Sequence, residues 1–333
     1  YRVTQYLGIH KESHNVFSFV QPMESSVMGN LSNFVTEFIL MGFSDIWEEQ
    51  VLHAVLFFLI YLVALVGNFL IIILTTLDHS LHSPMYFLLR TLSLLDLCFI
   101  SVTVPKAIVH SLTQNSSISF LGCVMQVFLV VLFACAELSL LTVMSYDRYV
   151  AICCPLHYQI VMKRRSCEHM VAASWISGIV SGFLNTAVTF SLPFCKSNFV
   201  HQFFCEIPSL LKLSCSEKYL AEIGAIIVTT TLGFICFISI IVSYVQIFST
   251  VLRIPSVEGR SKAFSTCIPH LVVVTLFLNT GSIAYLKPVS EYPSVWDLLV
   301  SVSYTVVPPT LNPIIYSLKN KDMKAAFWKI LRK

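Results

Sequence analysis

MSYDRYVAICCPLHY, residues 144–158, closes a long apolar run and sets Asp147 beside Arg148. Both side chains are costly in hydrocarbon, and charges inside a membrane span usually face a protein interior and serve a function. The run itself, residues 122–153, is long enough to cross a bilayer. Working outward from it, six more stretches of sufficient length appear, at 51–77, 84–109, 167–191, 222–252, 263–286 and 295–317. A membrane barrel would instead show alternating segments of about 10 residues, and runs such as LVALVGNFLIIIL (62–74) do not alternate. Helices are the other backbone solution in lipid. The expected fold is an all-α membrane protein, a seven-transmembrane helix bundle.

Composition agrees. Only 12% of the 333 residues are charged, about half the share typical of soluble domains. The net charge of +3 is too small and scattered to argue for nucleic acid, and none is expected as a partner. Twelve of the 21 Lys and Arg residues fall on the side that holds the Lys163–Arg165 loop and the tail, and seven on the other. Arg90 and Arg148 lie within spans. The positive-inside rule therefore puts the N-terminus outside. Residues 1–50 are expected to be an extracellular segment without a signal peptide, 51–317 the membrane domain, and 318–333 a cytoplasmic helix and tail. Met28, followed by GNLSNFVTEF, is the expected natural start, and 1–27 a disordered extension. In the tail, Ala326, Phe327, Ile330 and Leu331 are expected to face lipid on a short amphipathic surface helix, with lysines toward the headgroups.

Sequons at Asn30 and Asn115 fall on the expected outside. So do Cys123, Cys195, Cys205 and Cys215, an even set that suggests two disulfides with three possible pairings. The other seven cysteines lie in the membrane or near the reducing face. His201 and Cys205 have metal-like spacing, but a disulfide at Cys205 would remove its thiolate.

Several motifs are recognisable together. They include Gly67-Asn68, PMYFLLRTLSLLDLC (84–98), MSYDRYVAICCPLHY (144–158) and Trp175. Further on come SYVQIF (243–248), KAFSTCIPHL (262–271) and NPIIYSLKNKDMKAA (312–326). In this order and spacing, the chain from about Met28 to Lys333 resembles an olfactory receptor, a branch of the rhodopsin-like G-protein-coupled receptors. The resemblance implies disulfides Cys123–Cys205 and Cys195–Cys215. It implies a switch built from Asp147, Arg148, Tyr149, Tyr244, Asn312, Pro313 and Tyr316. In the resting form Asp147 holds Arg148. On activation span six swings outward, and Arg148 meets Tyr244 and the C-terminal helix of a Gα subunit. Pro313 supplies a compliant hinge. Asp96 and Glu137 resemble the sodium pocket of related receptors, holding Na⁺ or a proton at rest; a protonated pair that never binds metal is the other reading. No further cofactor is implied.

The ligand site is expected between the outer halves of spans three, five and six. Val127, Val130, Val131, Ala134 and Cys135 share one face of span three. Asn185, Glu206, Val228, Thr229, Leu232, Leu278, Ser282 and Tyr285 complete a mostly apolar lining suited to a small volatile odorant. No Asp in outer span three is present to pair with an amine ligand. Span six departs from the common olfactory pattern: Phe277-Leu278-Asn279 stands where many members carry Phe-Tyr-Gly, and Pro269 precedes His270 where a serine is usual. Leu278 makes the pocket more apolar, and Pro269 is expected to bend the inner half of the span. The implied partners are an odorant, a stimulatory olfactory-type G protein and the bilayer, at the plasma membrane of olfactory cilia. A transporter or channel using Asp96, Glu137 and Arg148 as an ion path is the alternative. Transporters often carry inverted repeats, and none appears between the halves. No nucleophile–base pair or phosphate loop argues for an enzyme.

Overall fold

The computed structural model describes residues 36–42, 46–113, 116–194, 198–215, 220–286 and 295–331. At 220–223, 284–286, 295–298, 318, 319, 321, 330 and 331 only the backbone is described. Seven long helices follow in order: α1 (Trp47–Leu77), α2 (Pro84–Thr113), α3 (Phe120–Cys153), α5 (Arg164–Phe190), α7 (Leu220–Leu252), α8 (Val257–Leu286) and α9 (Val295–Lys319). Short helices α4 (Tyr158–Val161) and α6 (Ile207–Leu211) lie in the loops, and α10 (Lys321–Leu331) follows α9. By length and apolarity, α1, α2, α3, α5, α7 and α8 each qualify as membrane spans among the described residues. α9 is the seventh helix of the bundle, its middle loosened by Pro308, Pro309 and Pro313.

Each helix shows why it sits where it does. On α1, Ala54, Phe57, Ala64, Asn68, Ile71 and Leu74 recur at helical spacing and are buried. Leu52, Leu56, Phe58, Leu59 and Val63 fall between them and are about half exposed, a face for lipid. α3 is instead buried on several sides, from Cys123 through Val150, because it packs against α2, α5, α7 and α8. Its closest approach is to α5. A Cβ on Gly178 would lie 2.4 Å from the Leu132 carbonyl oxygen, and one on Gly182 would lie 2.9 Å from that of Phe128. Two glycines four apart let backbones touch, the small-residue packing that replaces hydrophobic drive within a membrane.

A three-stranded sheet covers the outer end, an element outside the all-helical expectation. β1 (Glu37–Leu40) lies between β2 (Ser117–Ser119), antiparallel, and β3 (Phe199–Val200), parallel. β1 comes from the N-terminal segment, β2 from the loop before α3 and β3 from the loop after α5. Phe38 and Leu40 point into an apolar cluster with Cys123, Val127, Val131, Cys205 and Leu210. The Phe38 ring stacks near Phe120 and meets Phe194 edge-on, with centroids 6.1 and 5.5 Å away.

α10 corrects one expectation. Ala326 is buried at 2% exposure beside Met323, and Phe327 packs partly against the main core, so both face the bundle rather than lipid. Trp328 points outward at 58% exposure. Lys329 turns back to Asp78, 3.1 Å away, and fixes the helix against the loop between α1 and α2. The Ile330 and Leu331 side chains lie outside the described residues.

Candidate functional site

The outer end is a lid bolted onto the helices. Cys123, in the first turn of α3, is disulfide-bonded to Cys205 in the long loop, with Cα atoms 5.5 Å apart. Gln126, one turn below Cys123, accepts from the Cys205 backbone N–H at 2.8 Å and donates to the Val102 carbonyl of α2 at 3.0 Å. Cys215 is also disulfide-bonded, and Cys195 lies outside the described residues. The other seven cysteines are free thiols. With Cys205 in a disulfide, no metal site forms with His201 through it. Glu206 accepts from Ser209 at 2.9 Å through one carboxylate oxygen. Through the other it accepts from Tyr304 at 3.0 Å and Ser301 at 3.4 Å on α9.

Below the lid, the expected ligand face of α3 divides in two. Val127, Val131 and Cys135 pack toward the lid cluster, and Val130 and Ala134 toward the main core. Asn185 of α5 donates to the Thr229 hydroxyl of α7 at 2.7 Å and to its own helix at Ser181. Leu278 is partly buried against the core. Val228 and Leu232 stand off the packed face of α7 at 47% and 43% exposure, and Ser282 is exposed too. The Tyr285 side chain, Asn30 and Asn115 lie outside the described residues.

At mid-depth, polar groups from four helices gather. The Asn312 amide nitrogen on α9 donates to both oxygens of Asp96 on α2 at 3.1 Å, and lies 3.4 Å from Glu137 Oε1 on α3. Both carboxylates are fully buried. Glu137 Oε2, Asn312 Oδ1 and the Tyr316 hydroxyl are buried without a hydrogen-bond partner. Nearby, Asn68 of α1 donates to the Pro309 carbonyl at 2.9 Å. That is the carbonyl four residues before Pro313, whose missing N–H leaves it without its helical donor. Gly67 makes the approach possible: a Cβ there would sit 2.9 Å from the Pro313 ring.

At the inner end, Asp147 is buried at 1% exposure. Arg148 stands 3.7 Å from its Oδ2, an ion pair without a hydrogen bond. The close partner is Tyr158 of α4, which donates to Asp147 Oδ1 at 2.8 Å. Burial, and then the Asp147 charge, push the Tyr158 phenol up, so it stays a proton donor. Tyr244 of α7 makes no hydrogen bond to Arg148. Its hydroxyl lies 2.7 Å from His270 Nδ1 on α8, and His270 Nε2 lies 3.1 Å from the Leu141 carbonyl on α3. The carbonyl can only accept, so Nε2 carries the proton and Nδ1 accepts from Tyr244. His270 thereby clasps three helices together. Tyr149 packs partly against the core, and α8 continues as helix through Pro269.

A family model described as olfactory receptor matches residues 57–333 of the chain. The chain belongs to the olfactory receptor family. Among curated relatives, human olfactory receptor 14A16 is 59% identical over 305 residues, covering 92% of this chain and 98% of the relative. Human olfactory receptor 14L1 is 59% identical over 292 residues, covering 88% and 90%. Among solved structures, squid rhodopsin superposes with a TM-score of 0.65 at 18% identity, covering 86% of each chain. That likeness concerns the fold, a rhodopsin-like seven-helix bundle. The protein is therefore a multi-pass membrane receptor of the plasma membrane and not an enzyme.

For an olfactory receptor, the residues expected at the switch and around the lid divide into those with a local motif and those without. Asp147, Arg148 and Asn312 stand in contiguous motifs. Tyr158 belongs to the same motif, but its partner lies 11 residues back, around the turn after α3. Gln126 and Tyr304 carry no local signal at all. Glu206, expected to line the pocket, spends its carboxylate on holding the lid to α9.

Proposed function

We propose that this olfactory receptor binds a small, mostly apolar volatile odorant between α3, α5, α7 and α8, beneath the lid. Binding there activates a stimulatory olfactory-type G protein and raises cAMP, at the membrane of olfactory cilia. The observation that carries the reading is the double restraint at the inner end. Arg148 is paired with Asp147, and Tyr244 is held by His270, so the groups that must meet on activation are both engaged elsewhere. An odorant that packs better when α8 moves outward favours the moved state by its differential affinity alone. That motion separates His270 from Leu141, frees Tyr244 to turn toward Arg148, and opens a cleft that accepts an amphipathic helix by its apolar face. With the Pro309 carbonyl that Pro313 leaves without a helical donor already satisfied by Asn68, α9 yields at little cost.

The Asp96–Glu137–Asn312 cluster fits a small cation. Two carboxylates at one depth repel unless they share positive charge, and Glu137 Oε2, Asn312 Oδ1 and the Tyr316 hydroxyl are unpartnered oxygens there. Asp96, Glu137 and Asn312 would hold Na⁺, which supplies the missing countercharge in the resting receptor; a shared proton does the same.

The deciding experiment expresses the receptor with a cAMP reporter, screens an odorant panel, and repeats the screen with Arg148→Ala. A response of undiminished size in the variant would rule out this mechanism. Titrating sodium against agonist potency, with Glu137→Gln as control, separates the ion from the proton.

A further inference from the structure

A cleft of about 590 Å³ opens at the cytoplasmic end between the end of α1, the start of α2 and the start of α5. Its volume is that of a small-ligand site. The lining includes Arg90, Arg164 and His82 and contains no carboxylate. The first residues of α2 and α5, Pro84 and Arg164, both line it, so the positive ends of two helix dipoles add to the field.

Arg90 is the informative residue. It is half-buried, and its guanidinium lies 5.5 Å from the centre of the Phe87 ring, in the same wall. Among the described residues it has no ion pair and no hydrogen bond. Its Cα stands six residues into α2, about 9 Å up from the cytoplasmic end, so the side chain must reach down to headgroup level. An unpaired guanidinium in the wall of a cleft without carboxylates is a ready ligand for an anion. Arg164 is 88% exposed and is shared with Glu168, 3.0 Å away, which leaves most of its donors free. Phe87, Met162 and Leu81 give the same cleft an apolar wall for an acyl chain. The cleft lies on the α1–α2–α5 flank, away from α7 and α8, where the G-protein groove opens.

We propose that this cleft binds the phosphorylated headgroup of an anionic phospholipid of the inner leaflet, with Arg90 as its principal ligand and Arg164 as its second. The inner leaflet is where such lipids are held. Tyr158 forms part of the cleft wall, so the bound lipid sits one side chain from Asp147.

The test uses the full-length receptor in nanodiscs of phosphatidylcholine doped with phosphatidylinositol bisphosphate, with bound lipid counted by native mass spectrometry. One saturable lipid per receptor is expected. Arg90→Gln and Arg164→Gln should each weaken it about fivefold, the effect of one basic residue near a charged surface. Arg90→Lys should keep most of the affinity. Lys324→Gln, on α10 and outside the cleft, should leave it unchanged. Arg164 is surface-exposed, so its variant still reports if Arg90→Gln fails to fold. Binding as tight as the parent receptor's in both arginine variants, or an equal loss in Lys324→Gln, overturns the site. Soluble inositol trisphosphate binding as tightly as the lipid overturns the membrane source.

Discussion

The Tyr158 hydroxyl lies 2.8 Å from Asp147 Oδ1, whereas the nearest Arg148 nitrogen stands 3.7 Å from Oδ2. The hold on Asp147 is therefore shared, and its shorter member comes from the loop after α3. Hydrogen bonds to charged groups contribute about 1.5–3 kcal/mol. Tyr158→Phe should raise odorant-independent cAMP severalfold at matched surface expression. Unchanged basal signalling would mean that Arg148 alone restrains Asp147.

The His270 clasp predicts opposite signs for its two partners. His270→Ala releases Tyr244 and unties α8 from the Leu141 carbonyl, so basal signalling should rise. Tyr244→Phe removes the phenol that the proposed active form uses, so the odorant maximum should fall, with no gain in basal activity. Two variants moving in the same direction would refute the double role of Tyr244.

Asn68→Ala leaves the Pro309 carbonyl without a donor, a cost of about 1–3 kcal/mol for a buried group. Pro313→Ala restores an N–H in that position and should recover part of the loss in the double variant. Thermal unfolding in detergent gives the four midpoints. Strict additivity would show that Asn68 does not serve that carbonyl.

Gly178 meets backbone, which cannot move aside as a side chain can. Gly178→Ala should lower the melting midpoint, and Gly178→Leu should abolish surface expression, since overpacking typically costs about 1–3 kcal/mol. Gly281 meets nothing within 4 Å where a Cβ would be added. Its alanine variant is the control, expected to be neutral at the cell surface.

Asp78 anchors α10. The Ser80 backbone N–H, then the Ser80 hydroxyl and Lys329, hold its carboxyl at about 2, below the usual 3.8. A folded value below the unfolded one means that its stabilisation is complete above the usual range and fades as pH falls toward the folded value. Docking of α10 should thus be flat from about pH 5 to about pH 8, and Asp78→Asn should loosen it at every pH. A nitroxide at Trp328→Cys reads this as mobility. A transition near neutral pH would point to a different anchor.

Much of this receptor can be read along the chain because a bilayer imposes its own length. The spans are legible as mainly apolar runs, six of them strongly so, and the Lys/Arg bias orients them, since both are local sums over neighbouring residues. One departure is local: Ala326 and Phe327 lie on the apolar face of α10, and the bundle covers them in place of lipid. An apolar face says that it will be covered, and it does not say whether lipid or protein covers it.

What the sequence by itself determined was the number, order and direction of the helices and the place of Arg148 at the inner end. Tertiary structure alone decided the partners. β1 joins three segments from separate parts of the chain, His270 pairs with a carbonyl 129 residues away, and Tyr304 reaches Glu206 across 98. Hydrophobic periodicity reports which way a side chain faces relative to its own helix axis. Hydrogen bonds between helices depend also on rotation, depth and crossing of two axes, and those are set by close contacts such as Gly178 on Leu132 and Gly67 on Pro313.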